Sequence, residues 1–390
     1  MSLVEETEDI SEETVEKIKS LQLRFDDAQL LNSLYLSRLQ EINIDGKEGG
    51  GSVRFDDPMV DKLVNAIIET PDITKTLQRL ILKNHRITRT DTIVNNLMLN
   101  KDDGGLVVLD LTSNDIDYNG ILPVIESLAD FSSKLETLKL SMNPIGTETA
   151  IRLSEVVQGS TKISKLRHLW VASCDFELKA IVALTTSLDR TLEAIVLDRP
   201  LLTTSQEEGT DHFSRMLSAH STLSEVSLKY HKIEDKGATL IAQSLGMNQS
   251  LVYLNLDCNR IGVGGAEALA SYLIKYNRLE TLYMSYNMIG DEGAKAMGKA
   301  LEKNSSLLDL ALGTNKIGPI GVAAIAKSMT GNQGRLKYLS LFGNDFDDAS
   351  CREWKQQIDE RLNYLDVFVD IKIYVVDGIH KVANNSGDTF

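Results

Sequence analysis

Six histidines and three cysteines are the side chains of this chain best suited to act as bases, nucleophiles or metal ligands. The histidines are His85, His168, His212, His220, His231 and His380, and none belongs to a paired metal-ligand motif. No Gly-x-Ser-x-Gly elbow and no Walker-type phosphate loop is present. Cys174, Cys258 and Cys351 are scattered without metal or disulfide spacing, which points to a reducing compartment. Gly262-Val263-Gly264-Gly265 has the composition of a phosphate-cradling loop. Ile289-Gly290-Asp291-Glu292-Gly293, at the equivalent place further on, marks both as one recurring turn. Asp345, Asp347 and Asp348 lack the glycine and final glutamate of a calcium loop, and Asp347 or Asp348 is expected to start a helix. These residues point away from catalysis, and neither a metal nor a cofactor is expected.

What positions them is a repeat. Leu251-x-x-Leu254-x-Leu256-x-x-Asn259-x-Ile261-Gly262 returns at Leu279 and again at Leu307, 28 residues apart each time (279 − 251 and 307 − 279). The alternating apolar sites make a short strand, too short to stand alone, that must pair in parallel with its copies. An amide at Asn259 can bond backbone groups of its own and neighbouring turns. Gly264 to Leu273 then has helical spacing with small residues inward. Strands ~4.8 Å apart and helices ~8–10 Å apart bend such a stack with the strands on the inside.

The frame extends over ten first leucines: Leu77, Leu106, Leu135, Leu166, Leu192, Leu223, Leu251, Leu279, Leu307 and Leu336. The asparagine site holds His85, Asn114, Asn143, Cys174, Pro200, His231, Asn259, Asn287, Asn315 and Asn344, so His85 and His231 are expected to bond turns. Pro200 departs most, because it has no N–H to donate, and opens a longer polar loop at 201–209. The expected fold is α/β: a solenoid with a concave parallel sheet and convex helices. Residues 1–76 comprise an acidic lead-in (Glu5 to Glu16), a helical cap, a degenerate first strand at Leu39–Ile44 and a helix from Pro58 with Val60, Leu63, Val64, Ile67 and Ile68 inward. Residues 77–361 are the repeats. Residues 362–390 hold a last strand at Leu362–Val367, a hairpin cap turning at Asp377-Gly378, and a tail.

The repeats from about Leu77 to Phe346 resemble leucine-rich repeats of the ribonuclease-inhibitor-like class, although ribonuclease inhibitor itself is rich in cysteine. Leu140-Ser-Met-Asn143-Pro-Ile145-Gly resembles Ran GTPase-activating proteins, whose acidic tail follows the repeats, whereas here the acid lies in front. The ending Asp366-Val-Phe-Val-Asp-Ile-Lys-Ile-Tyr-Val-Val-Asp-Gly378 is more similar to the leucine-rich repeat-containing protein 34 family. That resemblance implies a non-enzymatic interaction protein of ciliated or germ-line cells, with a nucleolar role as an alternative. Related repeat proteins are fixed parts of axonemal spokes and regulatory complexes.

On the inner surface, aromatic residues gather in the second half: Trp170, Tyr230, Tyr253, Tyr283, Tyr286, Tyr338 and Phe342, among Arg167, His168, Glu225, Lys229, Asn255, Asp257, Ser285 and Lys337. Large rings with a polar handle are favoured at protein-binding hot spots. Arg79, Lys83, Asp110 and Lys139 make the first half more charged. A net charge of −15 argues against nucleic acid or an anionic membrane as the direct partner. Met1 to Ile10 is acidic, not an apolar signal peptide, and no run approaches ~20 apolar residues. The Asn-x-Ser sites at Asn248, Asn304 and Asn384 are accordingly expected to be unused. The expectation is a cytoplasmic scaffold, a subunit of a larger complex such as a ciliary axonemal one. The alternatives are a Ran-type GTPase-activating protein and a nucleolar or inhibitory binding protein.

Overall fold

The computed structural model describes residues 40–46, 54–69, 71–99, 105–130, 132–159, 165–187, 192–202, 207–219, 222–331, 335–362 and 366–385. The acidic lead-in, the helical N-terminal cap, the loops at 47–52 and 100–104, residues 203–206 and the final tail lie outside them. The chain divides into two units, Met1–Leu135 and Glu136–Phe390.

In the first unit, strands β1 (Glu41–Asp45), β2 (Arg79–Lys83) and β3 (Val108–Asp110) run parallel in chain order. Ile42 is level with Leu80, and Leu80 with Leu109, so the leucine frame sets the register. Helix Asp57–Ile68 buries Val60, Leu63, Val64 and Ile67, while Ile68, expected inward, is 38% exposed at the last turn. The helix is capped by Asp56, whose side chain accepts from the Met59 N–H.

In the second unit, β4 (Thr137–Lys139), β5 (His168–Trp170), β6 (Ala194–Val196), β7 (Glu225–Ser227), β8 (Tyr253–Asn255), β9 (Thr281–Tyr283), β10 (Asp309–Ala311), β11 (Tyr338–Ser340) and β12 (Phe368–Val369) are likewise parallel and in order. Each strand through β11 leads to a helix, and neighbouring helices pack on one another. The core is built in layers. Leu254, Leu282, Leu310 and Leu339 form one fully buried row, and Leu256, Met284, Leu312 and Leu341 the next. Ile261, Ile289 and Ile317 close it under the turns.

Glycine lets successive helices approach closely. A Cβ at Gly321 would lie 2.5 Å from the Ile317 side chain and 2.6 Å from Asp291. The same aspartate links the helices: Asp291 Oδ1 accepts from the Gly318 and Gly321 N–H groups of the next repeat at 2.7 and 2.9 Å. Asp235 does this for Gly262 and Gly265. The glycine turn at 262–265 is thus a capped helix start. Glu207–Ala219 is helical, so the long polar loop is shorter than the sequence suggests.

The C-terminal end corrects one register. Leu362 ends a π turn (Ile358–Leu362), and the last strand is Phe368–Val369, which pairs with Tyr338 and Leu339. That choice buries Val369 and Ile371 against the end of the stack. The expected hairpin follows as β13 (Ile371–Val376) and β14 (Ile379–Asn384), with Asp377 and Gly378 at φ of 52° and 80°. Asp348 ties it to the last helix by accepting from the His380 N–H at 2.7 Å.

Because the leucine rows are continuous, Leu312→Ala is expected to cost about 2–5 kcal/mol. A urea melt measures it, and a loss within experimental error would contradict the layered core.

Candidate protein-binding face

The face opposite the core is created by one backbone device. The residue just before each asparagine site has positive φ: Asn84, Ser113, Met142, Ser173, Arg199, Tyr230, Cys258, Tyr286, Thr314 and Gly343. Only Gly343 meets this left-handed conformation without steric cost. At eight of these positions, all but Ser113 and Gly343, the conformation turns the strand end so that its N–H reaches the next repeat. Tyr286 donates to the Gly313 carbonyl at 2.9 Å, and Cys258 to Ser285 at 2.9 Å.

The asparagine that follows completes the turn as expected. Asn287 Nδ2 donates to the Leu256 and Met284 carbonyls, both at 3.0 Å, and its Oδ1 accepts from the Ile261 N–H at 2.9 Å. Asn259 and Asn344 repeat the pattern, while Asn315 Nδ2 donates to the Met284 carbonyl at 2.8 Å and its Oδ1 accepts from the Asn287 N–H at 3.1 Å. Where the sequence departs, other donors substitute. Cys174 Sγ donates to the Leu140 carbonyl at 3.2 Å, and burial pushes its thiol up to about 12, so it is no nucleophile. His85 is buried between Ile44 and Phe55: Nε2 lies 3.2 Å from the Ile44 carbonyl and Nδ1 accepts from the Phe55 N–H. His231 Nε2 lies 2.8 Å from the Leu197 carbonyl, and burial lowers its pKa to about 4. Both histidines are turn-bonding groups.

Asn248 and Asn304 are also structural. Both are buried, each donates to a carbonyl one repeat back (Leu217 and Leu273), and each accepts from the N–H of the next first leucine. These two Asn-x-Ser amides are therefore sequestered in the fold.

The seven aromatic residues named from the sequence fall into two sets. Trp170, Tyr253, Tyr283 and Tyr338 stand on β5, β8, β9 and β11 and are half-buried. Tyr253 and Tyr283 touch edge to face, their ring centroids 5.7 Å apart. Tyr338 stacks on Phe368 at 5.8 Å, a partner hidden from sequence reasoning by the misplaced last strand. Tyr230 and Tyr286, by contrast, lie off the strands, at the left-handed positions of the turn, 42% and 61% exposed. Phe342 lies two residues beyond β11 and is 39% exposed. Met142 was missed; it occupies the same turn position and is 54% exposed.

Two of the rings already carry a cation. Lys139 Nζ sits 4.6 Å over Trp170, and the Arg199 guanidinium 4.2 Å over Tyr230. Among the acids, Asp257 accepts from the Ser285 N–H at 2.7 Å, and Asp198 from the Lys229 N–H at 2.9 Å. Desolvation raises both carboxyls above their usual range, and raises that of Asp309 as well. Asp309 was not among the residues named from the sequence, although its place two after Leu307 would have found it. Burial, with Asp309 nearby, pushes the Tyr283 phenol up to about 12. The charges expected on the first unit are partly neutralised within it: Arg79 pairs with Glu41 at 2.5 Å, and Lys83 lies 3.9 Å from Asp45.

The model for the Leucine Rich repeat family matches residues 106–124, 131–154, 219–242, 248–270, 278–298 and 303–326. These segments coincide with the strand–turn–helix units just described. The matched segments are leucine-rich repeats. Similar solved structures include an internalin (InlF) from Listeria monocytogenes str. 4b F2365, 14% identical, covering 91% of this chain and 93% of that one at a TM-score of 0.40. Another is actin-binding site 2 of leiomodin-1, 19% identical over 48% of this chain and 95% of that chain, at a TM-score of 0.34. No curated protein matches the chain. Among the described residues, no helix is long and apolar enough to cross a membrane, and no cluster of three or more His, Cys, Asp or Glu could hold a metal.

The buried neutral imidazole of His231 makes a pH prediction. Its folded pKa of about 4 lies below the ordinary 6.5, so as pH falls the unfolded chain takes the proton first. The stability it permits is complete above about pH 6.5 and drains away as pH drops towards about 4. His231→Asn, which restores the residue used by the regular repeats, is expected to lose about 2 kcal/mol less than the wild type between pH 7.5 and pH 5. Parallel melts at the two pH values check this, and equal losses in both proteins would refute it.

Proposed function

We propose that the chain is a non-enzymatic scaffold that holds a protein partner on the sheet face of its second unit. The observation that carries this reading is the group of half-buried and exposed rings there. Tyr253, Tyr283 and Tyr338 stand on strands, Tyr286 and Phe342 rim them, and none belongs to the core. Rings held in place by neighbours lose little freedom on binding and offer large contact areas, which favours hot-spot use. The strands of the face span about 15 Å from β8 to β11 at ~4.8 Å each, wide enough for one helix of ~10 Å diameter.

The finer placement rests on the resemblance of the 366–378 ending to the leucine-rich repeat-containing protein 34 family. It supports a fixed subunit of a ciliary axonemal complex, a radial spoke or regulatory complex, in the cytoplasm, with the nucleolus as the alternative site.

Tyr283→Ala is expected to weaken capture of the native partner at least about tenfold with an unchanged melt, since a central hot-spot ring carries on the order of 2 kcal/mol. Lys295→Ala, on an outer helix, is expected to leave it intact. Normal capture by the tyrosine variant would remove the sheet face from consideration. GTP hydrolysis by Ran in a single turnover is expected to be unaffected; acceleration would replace the scaffold reading with a GTPase-activating one.

A further inference from the structure

The second unit contains an open depression of about 470 Å³ on the sheet face, bordered by Tyr283, Tyr338, Asp257, Asp309 and Ser285 around Ala311. Its origin is legible in the register. On β10, Asp309 is level with Tyr338, and Ala311 is level with both Tyr283 and Ser340. A small residue therefore stands between two tyrosine-bearing strands, β9 and β11, which are about 10 Å apart at ~4.8 Å per step. That gap has the width of one extended side chain.

The walls have a definite chemistry. The two phenols stay neutral at physiological pH, since desolvation raises both. Aromatic rings attract cations, and the same face already shows this in the Lys139–Trp170 and Arg199–Tyr230 pairs. Around Tyr283 and Tyr338 the ring partners among the described residues are other rings, Tyr253 and Phe368, and no cation stands over either. Two carboxylates, Asp257 and Asp309, line the same depression. Asp309 accepts a hydrogen bond from Thr281 Oγ1 at 3.2 Å, and its charged neighbour is Glu280, so its surroundings add negative charge. Lys229 acts on Asp257 from the turn after β7, but is not part of the lining.

We propose that this depression receives a lysine or arginine side chain of the bound protein, with Tyr283 and Tyr338 as its aromatic walls and Asp257 and Asp309 as its counter-charge. The proposal rests on the binding-face reading above and commits it to a partner with a basic contact segment. Partial desolvation makes these half-buried carboxylates unfavourable as ions, and an incoming cation converts that cost into affinity and orientation. An acidic partner segment would meet the same two carboxylates and be repelled.

The test uses the full chain and a labelled nine-residue arginine peptide, beside its citrulline counterpart, which keeps the shape and removes the charge. The arginine peptide is expected to bind and the citrulline peptide not to. The double variant Asp257→Asn/Asp309→Asn, which retains an oxygen for the Ser285 N–H, is expected to raise Kd at least about tenfold with an unchanged melt. Tyr338→Ala is expected to do the same, while Tyr338→Phe stays within about twofold because the ring remains. Asp211→Asn, on an outer helix, is the neutral control. Failure of the wild type to prefer arginine over citrulline, or wild-type binding by the double aspartate variant, overturns the proposal. If Tyr283→Ala loses the native partner while the double aspartate variant keeps it, the cation proposal falls and the binding face stands. If Tyr283→Ala keeps the partner while arginine binding still depends on the aspartates, the depression binds cations but the partner sits elsewhere.

Discussion

The structure depends on how each strand stops. A three-residue strand in a parallel stack leaves polar backbone groups at its end that water cannot reach, and an unpaired buried group costs about 1–3 kcal/mol. The chain meets this with a left-handed residue followed by an amide, as at Tyr286-Asn287. The left-handed turn directs one N–H onto the next repeat, and the asparagine serves a carbonyl of its own repeat and a carbonyl and an N–H of the repeat behind. A regular repeat of the second unit, such as that of Asn287, is thereby joined to both its neighbours, independently of which side chains it carries outward.

That division of labour explains the tolerance of the motif. His231 and Cys174 replace asparagine because each supplies a donor to the same carbonyl, although each brings chemistry that burial must silence. Desolvation holds the imidazole neutral and the thiol protonated. Residues that look reactive in the sequence are thus the least available for reaction. Helix starts follow the same logic, with Asp235 and Asp291 capping the helix of the following repeat.

Freed from holding the fold, the outward positions make up the surface we propose for recognition. In the first unit, Arg79 and Glu41 neutralise each other. In the second, rings and carboxylates share a surface, and two lysine or arginine side chains already lie over rings at one end of it. The depression around Ala311 differs in having acids beside rings over which, among the described residues, no cation stands. Shape and charge together, and not the aromatic count, are why we propose it as the point of discrimination between partners.

By itself the sequence determined the repeat frame, the strand-to-helix order, the role of the asparagine site and the hairpin turn at Asp377-Gly378, because each follows from periodicity or from local backbone chemistry. It misplaced the last strand, since Leu365 and Val369, four residues apart (369 − 365), compete for the position level with Leu339. Only packing against Leu339 and Leu341 selects between them. It also grouped Tyr230 and Tyr286 with the strand aromatics, because alternation alone does not reveal where a strand yields to a left-handed turn. The depression was invisible for a related reason. Tyr283 and Tyr338 are 55 residues apart in the chain (338 − 283), and the small residue between them belongs to a third repeat. Their meeting is set by register across three strands, a property of the stacked structure that no single repeat contains.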